Sequence, residues 1–347
     1  PGEIRLWTYQ AISRGADGIV YFRWRTCRFG TEEYWHGIID HDGRPRRRYD
    51  EVQQTGGELE KLWPLLEGTQ IKNEVAILYS YDQLWSLQIQ PNNPRLNYTE
   101  IVKEYYKRLH ELNIGVDLVN HDDDFSDYRV LIAPLLYLMT PELASRLTAF
   151  VQAGGILITT FRSGVKNWDN VVTDNTLPGD LADLMGIEIE EYDSIYGETP
   201  IKITMELQDQ WLEGTCDTWC DVIRPGAAGI LGRYASEYYT GKAAVTQNSV
   251  GKGQAIYVGT RLDANLTTKL IDHALTLADI PQGPLAETGI EVSIREKPGM
   301  RLLFLLNHKG DKQTVSLSNQ YTDVLTEEPI TGKIELKPYG VKILQEA

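Results

Sequence analysis

The chain has 347 residues, 42% hydrophobic and 24% charged, the balance of an ordinary globular protein with room for two or three cores. Its 34 basic and 49 acidic residues give a net charge of −15, which disfavours nucleic acid or an anionic membrane as the main partner. No apolar run approaches the roughly 20 residues of a membrane span. Cys27, Cys216 and Cys220 are too few for a disulfide framework, so reduced or incidental thiols are expected; localisation is not readable from the chain, with a cytoplasmic setting favoured.

The first segment, residues 1–68, predicts a helix over Glu3 to Arg14, with Leu6, Tyr9 and Gln10 near one face and Gly15 as its stop. Gly18 to Trp24 reads as a short buried strand. After the loop Gly30 to Gly43 a second helix carries Tyr49, Val52, Leu59, Leu62 and Trp63, and Pro64 is expected to end it. Arg44, Arg46, Arg47 and Arg48 are read as flanking that helix start. Helix, strand, loop and helix make one and a half units of a β/α repeat, whereas a barrel needs eight.

Residues 71–282 carry a fresh α/β alternation. Strands are expected at Glu74–Ser80, Gly115–Val119, Tyr128–Pro134, Ile156–Phe161 and Gln254–Gly259. Thr99 is read as the cap of a helix bearing Ile101, Tyr105, Leu109 and Leu112, and Thr140-Pro141 opens another helix that Gly154-Gly155 stops. This is a doubly wound, flavodoxin-like pattern. Residues 285–347 change period: Ile290, Val292 and Ile294 alternate with polar residues, as do Ile334 with Leu336 and Val341 with Ile343. Turn signals at Lys297-Pro-Gly299 and Lys309-Gly-Asp311 separate the runs and predict a small antiparallel β-sandwich.

The central domain has no G-x-G-x-x-G and no nucleophile elbow. Ser163, after a strand end, has no identifiable base, so Arg162-Ser163-Gly164 reads as structural. Asp122 to Asp124 and Glu190-Glu191 lack the spacing of a calcium loop, and Cys216 with Cys220 lacks the second pair of a zinc site. Neither a metal nor a cofactor is expected.

The loop Gly30-Thr-Glu-Glu-Tyr-Trp-His-Gly37, continuing to Gly43, holds more chemistry. A loop leaving the C-terminal end of a barrel strand is where such barrels place their sites. Glu32 can accept hydrogen bonds from sugar hydroxyls, His36 can donate or accept one, and Trp24 or Trp35 can offer a stacking face. A metal reading of His36, His41, Asp40 and Asp42 has unsuitable spacing. Glu32 and Glu33 are adjacent, and a retaining glycosidase needs two carboxyls about 5–5.5 Å apart, so they make no convincing catalytic pair.

Pro1 to Ala11, Gly15 to Gly18, Phe22 to Arg25, Gly30 to Gly43, Arg162 to Lys166 and Pro338 to Val341 resemble the family 42 glycoside hydrolases, the microbial β-galactosidases. The resemblance implies the end of a (β/α)8 catalytic barrel, then an α/β trimerisation-type domain, then a small β-domain. It implies a retaining enzyme whose acid/base and nucleophile glutamates lie upstream of Pro1, so no catalytic residue is assigned and this chain alone is expected to be inactive. Glu32 matches the sugar-binding glutamate of the loop after strand eight, and Trp24 the tryptophan that floors the subsite. Many members carry a histidine where Trp35 stands, with His36 one residue later. The implied partners are a β-galactoside or related oligosaccharide and, in the complete enzyme, two further copies in a homotrimer. The alternative is a non-catalytic flavodoxin-like module for ligand binding or assembly.

Overall fold

A computed structural model describes residues 1–346, which form two compact units: residues 1–72 with 113–115 and 283–346, and residues 73–112 with 116–282. The first unit opens with α1 (Glu3–Ser13), whose Leu6, Tyr9 and Ile12 are buried. Gly15 takes φ +101°, a conformation costly for a side chain, and its amide donates to the Ile12 carbonyl at 3.0 Å, closing the helix where its sequence signalled. Helix α2 (Arg47–Leu66) runs on through Pro64. Proline so near the C-terminal end removes a single hydrogen bond, and the burial of Leu62 and Leu66 outweighs that loss.

The expected strand Gly18–Trp24 does not form. Its only ladder contact is one parallel bridge just beyond it, between Arg25 and Ile39. Val20 is 95% and Phe22 66% exposed, so this side of the run finds no cover among the described residues, whereas Ile19 and Tyr21 are half-buried and Leu6 is fully covered. A parallel strand requires neighbours on both edges and both faces, and this segment has only Ile38 and Ile39 along one edge at Arg23 and Trp24, and partial cover on one face, where Ile19 packs against the core of α1 and α2.

The central unit begins with β1 (Val75–Leu78), α3 (Tyr81–Ile89), α4 (Tyr98–Glu111), β2 (Val116–Val119), β3 (Val130–Ala133), α5 (Pro141–Ala153) and β4 (Ile156–Thr160). Thr140 caps α5 as expected, its hydroxyl accepting from the Leu143 amide. For α4 the cap is Asn97 rather than Thr99: its carboxamide oxygen accepts from the Glu100 amide at 3.2 Å. Asn97 lies before the first helical turn, where a side-chain acceptor meets the free amides. A 3-10 turn (Gly179–Leu181) and α6 (Ala182–Met185) lead to β5 (Ile187–Ser194), β6 (Ile201–Leu207), β7 (Gln210–Pro225), β8 (Gly229–Tyr234) and β9 (Ala243–Val250). Strands β10 (Gly253–Val258) and β11 (Thr260–Leu262) and helix α7 (Ala264–Leu277) complete the unit.

One eleven-stranded sheet results. Its parallel run has the order β2-β1-β3-β4-β10, the order of one doubly wound class. Beyond β10 the sheet continues antiparallel through β9, β8, β6, β7 and β11, with β5 paired to β7. That extension had no counterpart in the expected strands.

The C-terminal part of the first unit holds β12 (Leu285–Ala286), β13 (Ile290–Lys297), β14 (Met300–Asn307), β15 (Gln313–Asp323), β16 (Pro329–Leu336) and β17 (Val341–Glu346). They form one curled antiparallel sheet of order β12-β15-β17-β14-β13, with β16 on β15. Strand alternation sends Leu303, Leu305 and Leu344 to one face, against Val315, Leu317 and Leu336. Leu302, Phe304, Leu306, Val341 and Ile343 face the other way and pack on Leu6, Tyr9, Ile12, Leu62 and Leu66 of α1 and α2. Polar anchors cross the same seam. Buried Glu291 accepts from Gln10, Arg14 and His308, each at 2.8 Å, and buried Arg295 donates to the Thr69 hydroxyl and the Ile12 carbonyl.

Candidate functional site

The loop after Trp24 is built on a backbone clip. The amides of Ile38 and Ile39 donate to the carbonyls of Arg23 and Trp24 at 2.8 and 2.9 Å, and Thr26 returns a bond to Ile39 at 3.0 Å. Gly37 sits where the two strands of the clip touch. A Cβ there would lie 2.6 Å from the Arg25 carbonyl carbon and the Thr26 nitrogen, so only glycine fits. The Thr26 hydroxyl accepts from the Gly37 amide at 2.9 Å and donates to Ile39, filling the remaining polar positions.

On this base the side chains form a chain of contacts. The Glu32 carboxylate is ion-paired to the Arg23 guanidinium. The guanidinium carbon lies 4.7 Å from the Phe22 ring centre, and the Phe22 ring meets Trp35 edge-on at 6.3 Å. Beside them a groove of about 390 Å³ is lined by Trp7, Thr8, Tyr21, Phe22, Arg23 and His36, among others. The structure thus brings Glu32, Trp35 and His36 together through Arg23 and Phe22. Trp24 stands apart, its ring set edge-on to Tyr49 of α2 at 6.1 Å.

Arg23 escaped the sequence reading. The signal was present, because a basic residue stands inside the run Val20-Tyr-Phe-Arg-Trp24 where a short buried strand was expected. A cation in such a run needs a carboxylate, and Glu32 is the one that reaches it.

The acidic end of the loop is also engaged. Arg46 donates to Asp40 at 2.9 Å and to Asp42 at 2.6 and 2.9 Å, and Arg48 pairs with Asp40. The hydrogen bonds from Arg46, and then from the Arg44 amide, hold the Asp42 carboxyl well below the usual carboxylate range. The His41 ring bonds the Glu33 carbonyl at 2.8 Å. The arginine run therefore straps the loop to the start of α2. Among the described residues no group of three or more His, Cys, Asp or Glu side chains is placed to hold a metal. Among them, too, no helix is long and apolar enough to cross a membrane.

What this arrangement can do follows from its atom types. It offers one half-exposed carboxylate with fixed orientation, one imidazole at a groove, and exposed aromatic faces. It offers no second carboxyl opposed to the first.

Three family descriptions cover the chain in series: beta-galactosidase over residues 1–62, beta-galactosidase trimerisation domain over 73–281 and beta-galactosidase C-terminal domain over 289–346. Beta-galactosidase BgaB of Geobacillus kaustophilus is 37% identical over 352 aligned residues, covering 99% of this chain and 51% of the relative. Beta-galactosidase BgaA of Clostridium cellulovorans is 34% identical over 345 residues, 99% of this chain and 52% of the relative. The crystal structure of beta-galactosidase from Bacillus circulans sp. alkalophilus superposes with a TM-score of 0.93 at 33% identity, covering this whole chain and 52% of that one. The chain spans about half the length of these relatives and belongs to their family, the family 42 β-galactosidases among the glycoside hydrolases.

Proposed function

We propose that this chain is the C-terminal part of a retaining β-galactosidase acting on terminal β-D-galactosides. It supplies one wall of the sugar subsite and the oligomer contacts of a homotrimer, while the acid/base and nucleophile glutamates belong to the preceding barrel. The observation that carries this reading is the ion pair of Glu32 with Arg23 beside the groove that His36 lines. Arg23 fixes one edge of the carboxylate and leaves the rest free to accept from two neighbouring sugar hydroxyls. His36 faces the groove and takes the second polar contact, whereas Trp35 covers Phe22 and gives an apolar face. Trp24, propped by Tyr49, gives the floor on which the apolar face of a galactose ring stacks.

A charge-assisted hydrogen bond of this kind is worth about 1.5–3 kcal/mol. In the enzyme that includes the barrel, Glu32→Gln is expected to lower kcat/KM for an aryl β-galactoside by roughly 10–100-fold. His36→Ala should cost more than Trp35→Ala; the reverse order would move the sugar contact to Trp35. The 347-residue chain alone is expected to turn over no substrate, and hydrolysis by it that Glu32→Gln abolishes would overturn the proposal.

A further inference from the structure

Strand β7 carries two of the three cysteines, Cys216 and Cys220, both free and buried. In an unbroken strand, residues four apart stand about 13 Å from each other, out of reach of any bond between their side chains. A bulge in β7 shortens that distance. Along β11 the partner of Cys220 is Thr260, that of Asp217 is Arg261 and that of Cys216 is Leu262, so four steps of β7 match two steps of β11. Two steps are about 6.6 Å, within the about 4.4–6.8 Å that separates the Cα atoms of a disulfide. Thr260 and Leu262 point to one side of β11, and residues paired across a ladder share a face, so both thiols lie on the same side. The Cys220 Sγ lies 3.5 Å from the Thr260 hydroxyl, and the Cys216 thiol donates a hydrogen bond to Cys220. The bulge between them is anchored. The carbonyl of Thr218 accepts from the Asn93 carboxamide and from the Ile195 amide, each at 3.0 Å.

We propose that Cys216 and Cys220 are a dithiol that a hydroperoxide converts, reversibly, into a disulfide across the bulge. The two thiols differ in role. The hydrogen bond from Cys216 lowers the Cys220 thiol despite its burial, and the hydroxyls of Thr260, Tyr239 and Tyr234 act in the same sense. That same bond, together with burial, holds Cys216 up as a protonated thiol. Cys220 is therefore the sulfur that reaches the thiolate form, which is the nucleophile. It attacks one peroxide oxygen and the O–O bond breaks. The departing hydroxide takes up the proton that Cys220 released and leaves as water, and Cys220 becomes a sulfenic acid. The Cys216 sulfur then attacks the Cys220 sulfur, the S–O bond breaks, and the proton of Cys216 leaves with that hydroxide as a second water. Each sulfur gives up one electron and the O–O bond receives both. Hydrogen peroxide is scarcely larger than water, which suits a buried pair better than a bulky oxidant does. The new bond ties together the two ends of the bulge that seats Asn93, between α3 and α4.

The test treats the chain with hydrogen peroxide at a dose that oxidises Cys27, the internal control, then unfolds it, alkylates the remaining thiols and maps the peptides by mass. The peptide bearing Cys216 and Cys220 is expected to carry no alkyl group and to regain both sites after dithiothreitol. Two alkylated cysteines there, an irreversible acid on Cys220, or a bridge from either one to Cys27 would overturn the proposal. This measurement needs no variant. Two substitutions assign the roles, with dimedone as the trap for sulfenic acid. In Cys216→Ser, where the hydroxyl keeps a donor beside Cys220, Cys220 should be trapped at least tenfold faster than Cys216 is in Cys220→Ser. The opposite ratio would overturn the assignment of Cys220 as the attacking sulfur.

Discussion

The buried carboxylate of Glu291 joins the α1 end of the chain to the C-terminal sheet, and its removal gives a quantitative test of that seam. Its side chain is 3% exposed and accepts from His308, Arg14 and Gln10. Burial alone pushes the carboxyl up. The hydrogen bond from His308, the charge of Arg14 and the bonds from Arg14 and Gln10 outweigh it and hold the carboxyl at about 2 against an ordinary 4.5. That depression corresponds to about 3 kcal/mol of stability for the ionised form. The sign follows from linkage: the contribution is fully present above pH 4.5 and is lost as pH falls from there toward 2. Glu291→Gln keeps the shape, removes the charge and leaves the Arg14 cation without its partner, which predicts a loss of about 3 kcal/mol at neutral pH. The assay is hydrogen exchange of α1 and β13 amides, which reports opening of this unit by itself. Exchange should accelerate on the order of 100-fold at pH 7, and the stability gap between variant and wild type should shrink as pH falls below 4.5. Exchange within about threefold of wild type, or a gap independent of pH, would refute the account of the seam.

Other expectations concern α2 and the loop clip. Gly56 lies mid-helix, and a Cβ added there would meet nothing within 4 Å, so Gly56→Ala should stabilise the unit by about 0.5–1 kcal/mol, read as a higher midpoint in thermal unfolding. Gly37→Ala forces a methyl against the backbone at Arg25 and Thr26 and should cost about 1–3 kcal/mol, with loss of exchange protection at Ile38 and Ile39. Arg23→Ala frees Glu32. In the enzyme that includes the barrel it should raise KM more than it lowers kcat, and an unchanged KM would remove Arg23 from the site.

The parallel strands were legible because β1, β3 and β4 are buried on both faces and read as continuous apolar runs bounded by turn residues. Thr140-Pro141 was legible as a helix start for a local reason, an acceptor followed by the residue best suited to the first turn. Strand β7 was hidden because Thr218 adopts φ +67° within a bulge, which breaks the alternation that marks a half-buried strand. Helix α3 was hidden because its buried face mixes polar Gln83 and Ser86 with Leu87 while Tyr81, Trp85 and Ile89 stay exposed, so pattern alone does not mark the inner face. The reach of Arg23 to Glu32, nine residues on, depends on the clip at Gly37, a tertiary feature that single-residue propensities do not encode.

The packing of α1 and α2 on the C-terminal sheet also sets the order of events at the ribosome. Leu6, Tyr9, Leu62 and Leu66 cannot be covered until Phe304 and Ile343 have been made, after the 210 residues from 73 to 282. From Leu66 to Ile343, at about 5–20 residues per second, that delay is roughly 14–55 s. For that interval the helices that flank the Gly30–Gly43 loop expose their apolar faces, while the central unit can already fold. This part of the nascent chain is therefore most open to aggregation and to chaperones in the helices made before the central unit, and strand β17 (Val341–Glu346) completes a core that α1 began.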